Sequence, residues 1–172
     1  MVELFDVLDK TGNKTNLKKG RNDDLLDEEY ALVTHLWIKR SDGKFLTQQR
    51  SMEKRVDPGL WSITSGFVST GESTKVTIAR ELKEELGIEV SLDELVLHKR
   101  IFPKEDARHN HIVDVYFLYK DIDEGTITLQ EEEVMAAKYM SQEEILKMME
   151  QEQFMDFRVY YDDYYTSILG VR

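Results

Sequence analysis

The chain has 172 residues, of which 41% are hydrophobic and 33% charged; it has no cysteine and carries a net charge of −11 at pH 7. That length suits one domain with a real core. The composition excludes disulfides and thiolate catalysis, a bilayer-spanning run of roughly 20 apolar residues, and the basic face that a nucleic-acid polymer requires.

Residues 2–8, VELFDVL, alternate loosely and meet a turn at Asp9–Asn13, which predicts a short hairpin. Residues 18–29 are polar and read as a loop, so 1–29 is expected to form an N-terminal hairpin and loop packed on a domain running from 30 to 172. Tyr30–Ile38 is a strong strand, Ser41–Lys44 a turn, and Phe45–Gln49 the returning strand. A charged loop, Ser51–Gly59, leads to a short extended segment, Trp61–Val68. Ser73–Leu86 has helical periodicity closed by Gly87. Leu95–Phe102 and His111–Tyr119 read as strands, with a polar loop at 103–110 between them. Thr126–Leu129 and Ala137–Met140 are expected as short strands around Glu131, Glu132 and Glu133. Ser141-Gln142-Glu143-Glu144 is a capping-box start for a helix to about Glu152, and Phe154–Leu169 is expected as a last, tyrosine-rich helix. Strands with interspersed helices predict an α/β fold, a mixed sheet covered by helices. MVELFDVLDK does not read as a signal peptide, so the cytoplasm is the expected compartment and no membrane partner is expected.

The chemistry concentrates in Gly66–Ile88, which follows the pattern G-x5-E-x7-R-E-L-x-E-E-x-G-I through Gly66, Glu72, Arg80, Glu81, Glu84, Glu85 and Gly87. Glu81, Glu84 and Glu85 stand at i, i+3 and i+4 of the helix, which gathers three carboxylates on one face. Crowded carboxylates suit hard divalent ions such as Mg2+ or Mn2+. Such an ion neutralises a diphosphate and lowers the pKa of a nearby water. Ile78, Leu82 and Leu86 form the adjacent apolar stripe that anchors the helix. Gly66 permits close approach to the site, and Glu72 is placed to pair with Arg80.

This stretch resembles the complete signature of the Nudix family, which hydrolyses a pyrophosphate bond in a nucleoside diphosphate linked to another moiety. The resemblance implies an α/β/α sandwich, a metal held by Glu81, Glu84 and Glu85, a small phosphorylated substrate and, by analogy, a homodimer. Gly66, Glu72, Arg80 and Gly87 are then structural supports of the site. The general base is either Glu81 or one of Glu131, Glu132 and Glu133. Arg50, Lys54 and Trp61 are candidates for substrate contacts.

The surroundings of His35, Phe45–Ser51 and Pro58–Trp61 are similar to the isopentenyl diphosphate isomerase branch of that family. An isomerase of that kind needs a cysteine just before the motif, and this chain has none. His35 is its only match to the several metal-binding histidines of that branch, and it reads as a core histidine. His109 and His111 read as structural or surface residues. A non-catalytic nucleotide-binding module is a third reading, against which every glutamate of the motif is retained.

Overall fold

A computed structural model describes residues 4–105, 107 and 109–170. Residues 2 and 3 of the first expected strand, 106 and 108 of the expected loop, and the end of the domain at 171 and 172 lie outside them. No helix among the described residues is long and apolar enough to cross a membrane.

Strands β1 (Leu4–Leu8) and β2 (Lys14–Gly20) form an antiparallel hairpin, so the second strand runs on into the segment expected as loop. Single bridges from Phe5 to Ser69 and from Leu8 to Tyr30 fasten this hairpin to the rest of the chain. The main sheet contains β3 (Ala31–Lys39), β4 (Phe45–Arg50), β5 (Trp61–Ser62), β6 (Thr64–Phe67), β7 (Val96–Ile101), β8 (His111–Tyr119) and β9 (Val134–Met140). β3 pairs in parallel with β8 along its whole length, whereas β7 runs antiparallel to β8 and β9 antiparallel to β4, which makes the sheet mixed.

The β3–β4 hairpin stays paired only at Ile38–Leu46 and Lys39–Phe45. Beyond that it opens, and β6 takes the free edge of β3 from Val33 to Leu36, setting Gly66 opposite Thr34. Alternation along β3 then divides the core. Leu36 and Ile38 face helix α1 (Thr74–Leu86), while Val33, His35 and Trp37 face α2 (Gln142–Glu150) and α3 (Tyr164–Leu169). The result is the α/β/α sandwich expected.

Three expected elements differ. Thr126–Leu129 does not form a strand: Thr128 and Gln130 donate their N–H groups to the carbonyls of Leu86 and Glu85, satisfying the orphan acceptors at the end of α1 instead of a sheet. The last helix is not continuous either. Asp156 caps a 3-10 turn at Phe157–Val159, Asp163 takes a left-handed conformation at φ 53°, and α3 begins only at Tyr164. Phe154, Phe157, Tyr161, Tyr164, Tyr165 and Leu169 are all buried. One helical stripe cannot turn that many rings inward, and breaking the helix lets them face the sheet. α2 likewise ends at Glu150, two residues earlier than expected.

Candidate active site

Helix α1 is positioned by its two ends and its apolar stripe. The Ser73 side chain accepts from the Val76 N–H at the start, and Gly87 closes the helix in the left-handed region at φ 69°. Ile78, Leu82 and Leu86 are buried against Leu36, Ile38 and Leu46. This fixes the rotation of the helix, so the next row of side chains comes to the edge of β6. Glu81 lies there with only 8% of its surface exposed. A Cβ added to Gly66 would sit 2.5 Å from Glu81 Cγ and 2.7 Å from its Oε1. The carboxylate of Glu81 therefore occupies the space that any other residue at 66 would fill.

Arg80 collects the acids of the motif. Its Nε and Nη2 each donate to Glu72 at 3.2 Å, and its Nη1 donates to Glu81 Oε1 and Glu84 Oε2, both at 3.0 Å. Thr77 Oγ1 adds a 2.8 Å bond to Glu72. The expected Glu72–Arg80 pair thus exists and ties the loop after β6 onto α1. Burial raises the Glu81 carboxyl above its ordinary value, opposed by the charge of Arg80.

Glu85 is turned the other way, into a half-buried position where Gln48 Nε2 donates to its Oε2 at 2.7 Å. Thr64 Oγ1 donates to Gln48 Oε1 at 3.0 Å, which fixes the orientation of that amide. Burial, with Glu81 and Glu133 as like-charged neighbours, pushes Glu85 up to about 7, and the Gln48 bond and Lys54 only partly oppose this. Gln48 was not singled out in the sequence; the signal for it is an amide at a fully buried strand position.

Of the motif's glutamates, Glu85 lines a cleft of about 770 Å³. Glu133, Arg50, Lys54 and Arg55 line it too, as do Phe67, His109, His111, Phe157 and Tyr160. Of the acidic run, Glu133 lines the cleft and is ion-paired with Lys54, whereas Glu131 and Glu132 are exposed outside it. Arg50 donates from Nε and Nη2 to the Val56 carbonyl, curling the 51–57 loop beside the acids. Trp61 is not at the cleft. It is hydrogen-bonded through its backbone to Gln153 and Met155, and its ring lies 4.7 Å beneath the Lys138 ammonium. His109 and His111 stack at 5.3 Å, and the edge of Phe67 meets His111 at 4.9 Å. The segment Arg21–Leu25, read in the sequence as a solvated loop, forms a wall of the cleft, and the charge of Arg21 acts on Glu81.

Among the described residues no three His, Asp or Glu side chains converge closely enough to hold a metal ion as they stand. The reason is that Arg80 and Gln48 engage the three carboxylates on different sides. The donor set nevertheless fits a divalent cation: hard oxygens, a Glu85 carboxyl raised by burial and by the charges of Glu81 and Glu133, and a glycine that leaves room for Glu81.

Residues 30–159 match the model of the NUDIX domain. A protein named Nudix hydrolase 3 from Arabidopsis thaliana is 35% identical over 159 residues, covering 87% of this chain and 21% of its own length, so the chain spans about a fifth of that relative. A Dictyostelium discoideum protein named isopentenyl-diphosphate Delta-isomerase is 28% identical over 173 residues, covering 88% of this chain and 70% of the relative. The crystal structure of DR0079 from Deinococcus radiodurans shares the fold, with a TM-score of 0.72 at 18% identity over 91% of this chain and 95% of that one. Because the matched stretch contains the whole glutamate motif, seated on the helix, glycine and sandwich described above, the chain belongs to the Nudix family.

Proposed function

We propose that the chain is a metal-dependent hydrolase that cleaves a pyrophosphate bond in a nucleoside diphosphate linked to another moiety. The observation that carries this reading is the meeting, in one cleft, of Glu85 held up to about 7, Glu133, and the cations Arg50, Lys54 and Arg55. Glu81, Glu84 and Glu85 would hold Mg2+ or Mn2+, which supplies charge neutralisation for the diphosphate and a more acidic water. Arg50 and Lys54 orient the phosphate oxygens of the substrate. Water adds to one phosphorus, the bridging P–O bond breaks with its electrons on the departing phosphate, and the water proton passes to a carboxylate. Glu133 is the member of the acidic run that supports the base role best, because it alone of the three reaches the cleft. Gly66, Glu72, Arg80 and Gly87 hold this arrangement in place. Residues 1–29 belong to the same working unit, and self-association into a homodimer is part of the reading, tested by the molar mass in solution from light scattering.

The experiment is incubation with Mg2+ and a panel of nucleotide sugars, dinucleoside polyphosphates, and nucleoside diphosphates and triphosphates, following phosphate products. Turnover of at least one compound is expected. Glu133→Gln is expected to slow it by about 10²–10⁴-fold, the usual worth of a general base, while Glu132→Gln stays close to wild type. Equal loss in both variants, or in neither, removes Glu133 from the base role. Absence of turnover across the panel sinks the hydrolase reading. Isopentenyl diphosphate, assayed in parallel, is expected to remain unchanged because the chain has no cysteine.

A further inference from the structure

His35 is buried to all but 5% of its surface, on the face of β3 that it shares with Val33 and Trp37, and it helps line the cleft. Its Nδ1 lies 2.7 Å from the hydroxyl of Tyr164, which also receives the Trp37 Nε1–H at 3.2 Å. These two contacts fix the protons. Tyr164 is fully buried, so its O–H needs an acceptor inside the protein. An indole N–H only donates. Among the described residues, the acceptor within reach of the Tyr164 O–H is His35 Nδ1. The phenol therefore donates to Nδ1, and the imidazole proton resides on Nε2.

Nε2–H has no hydrogen-bond partner among the described residues. Nor is it sealed in the core, because the buried side-chain atom left without a partner there is Thr34 Oγ1. The group therefore faces the cleft. Its surroundings in the cleft are aromatic: Phe157 lies 4.6 Å from the His35 ring, Phe67 meets His111 at 4.9 Å, and Tyr160 packs on His109 at 5.4 Å. Lys54, suited to phosphate, is ion-paired with Glu133 and acts on Glu85, and Arg50 and Arg55 line the same cleft. We infer that His35 is a specificity-determining residue, a fixed neutral donor whose Nε2–H takes an uncharged acceptor, a carbonyl oxygen or ring nitrogen, on a planar moiety of the substrate. Burial, with His111 nearby, holds the imidazole down to about 3, so it stays neutral through the working range. With its proton on Nε2, the ring has no lone pair there for a cation. The assignment of the moiety rests on the pyrophosphohydrolase reading; the protonation state does not.

Two measurements on the full chain separate these levels. Long-range ¹H–¹⁵N spectra are expected to show His35 with Nδ1 bare and Nε2 protonated from pH 5 to 9, unchanged when Mg2+ or Zn2+ is added. Tyr164→Phe is expected to release a mixture of both tautomers. A proton on Nδ1 in the wild type, or a change of tautomer on adding metal, overturns the proposal even if the panel above shows turnover. The second measurement titrates the four nucleoside monophosphates as probes. At least one is expected to shift the His35 Nε2–H resonance and to bind about 10-fold more weakly to His35→Phe, as expected for one lost hydrogen bond. His35→Gln, which keeps an amide donor near the Nε2 position, recovers most of that loss, and inorganic phosphate binds all three proteins alike. If none of the four shifts the resonance, or if phosphate weakens in parallel, the donor role is wrong. For a substrate found by the panel, His35→Phe is expected to raise KM about 10-fold with kcat within about threefold; a fall in kcat alone also overturns it.

Discussion

Glu85→Gln is expected to lower turnover by at least about 10³-fold, roughly 4 kcal/mol of transition-state stabilisation, while the metal-free variant melts higher than wild type above pH 7. The two effects share a cause. A folded-state carboxyl raised from 4.5 to about 7 keeps its proton between those values while the unfolded chain has lost it, so stability falls as pH rises through that window and is lowest above it. A neutral amide of the same shape escapes that loss and keeps the Gln48 bond, because Gln48 donates. At ~1.4 kcal/mol per pKa unit, discounted for the half-open setting, the gain is on the order of 1–2 kcal/mol, a few degrees in Tm for a chain of this size. Thermal melts with chelator at pH 5 and pH 8 check the sign: the variant gains at pH 8, and its advantage shrinks at pH 5. A variant that retains activity, or one that gains nothing at pH 8, contradicts this account of Glu85.

Gly66→Ala is expected to cost about 100-fold or more in turnover and about 1–3 kcal/mol in stability. Gly66 is not among the glycines with positive φ, so backbone strain has no part in it. The cost is steric. The added methyl would overlap Glu81 Cγ at 2.5 Å, and Cγ is too near the backbone of α1 to swing clear without moving the carboxylate off Arg80. Gly71→Ala provides the contrast: it has φ 88° and nothing within 4 Å of the new methyl, so it loses about 1 kcal/mol of stability and leaves turnover intact. Kinetics and thermal melts of the two variants side by side decide the matter. Equal losses of activity would mean that the loop, not the contact with Glu81, is what glycine provides.

The parts of this molecule legible from sequence are those set by neighbours along the chain. The carboxylate face and the apolar stripe of α1 follow from helical spacing, and Gly87 marks its end because few residues tolerate φ 69°. The Glu72–Arg80 pair spans eight residues and needs only the helix to form. What was not legible depends on distant segments. Gln48 matters because the β3–β4 hairpin opens to admit β6, bringing Thr64 to one end of the amide and Glu85 to the other. Only the fold distinguishes Glu133 from Glu131 and Glu132. Trp61 reads in sequence as an aromatic beside the site and a candidate substrate contact, yet backbone bonds to Gln153 and Met155 hold it against the core, outside the cleft lining. The tyrosine-rich end reads as a helix by composition, but the burial demand of its rings breaks it.

The cleft also divides along the boundary of the stretch that matches the NUDIX domain model. Glu85, Glu133, Arg50 and Lys54 lie within 30–159, but Phe5, the Arg21–Leu25 wall, Tyr160 and Tyr161 come from either side of that stretch. The glutamate motif thus lies in the matched stretch, while much of the remaining cleft lining is contributed by the flanks. The lining of the cleft can therefore change at Phe5, Leu25, Tyr160 and Tyr161 without a change in any residue of the glutamate motif.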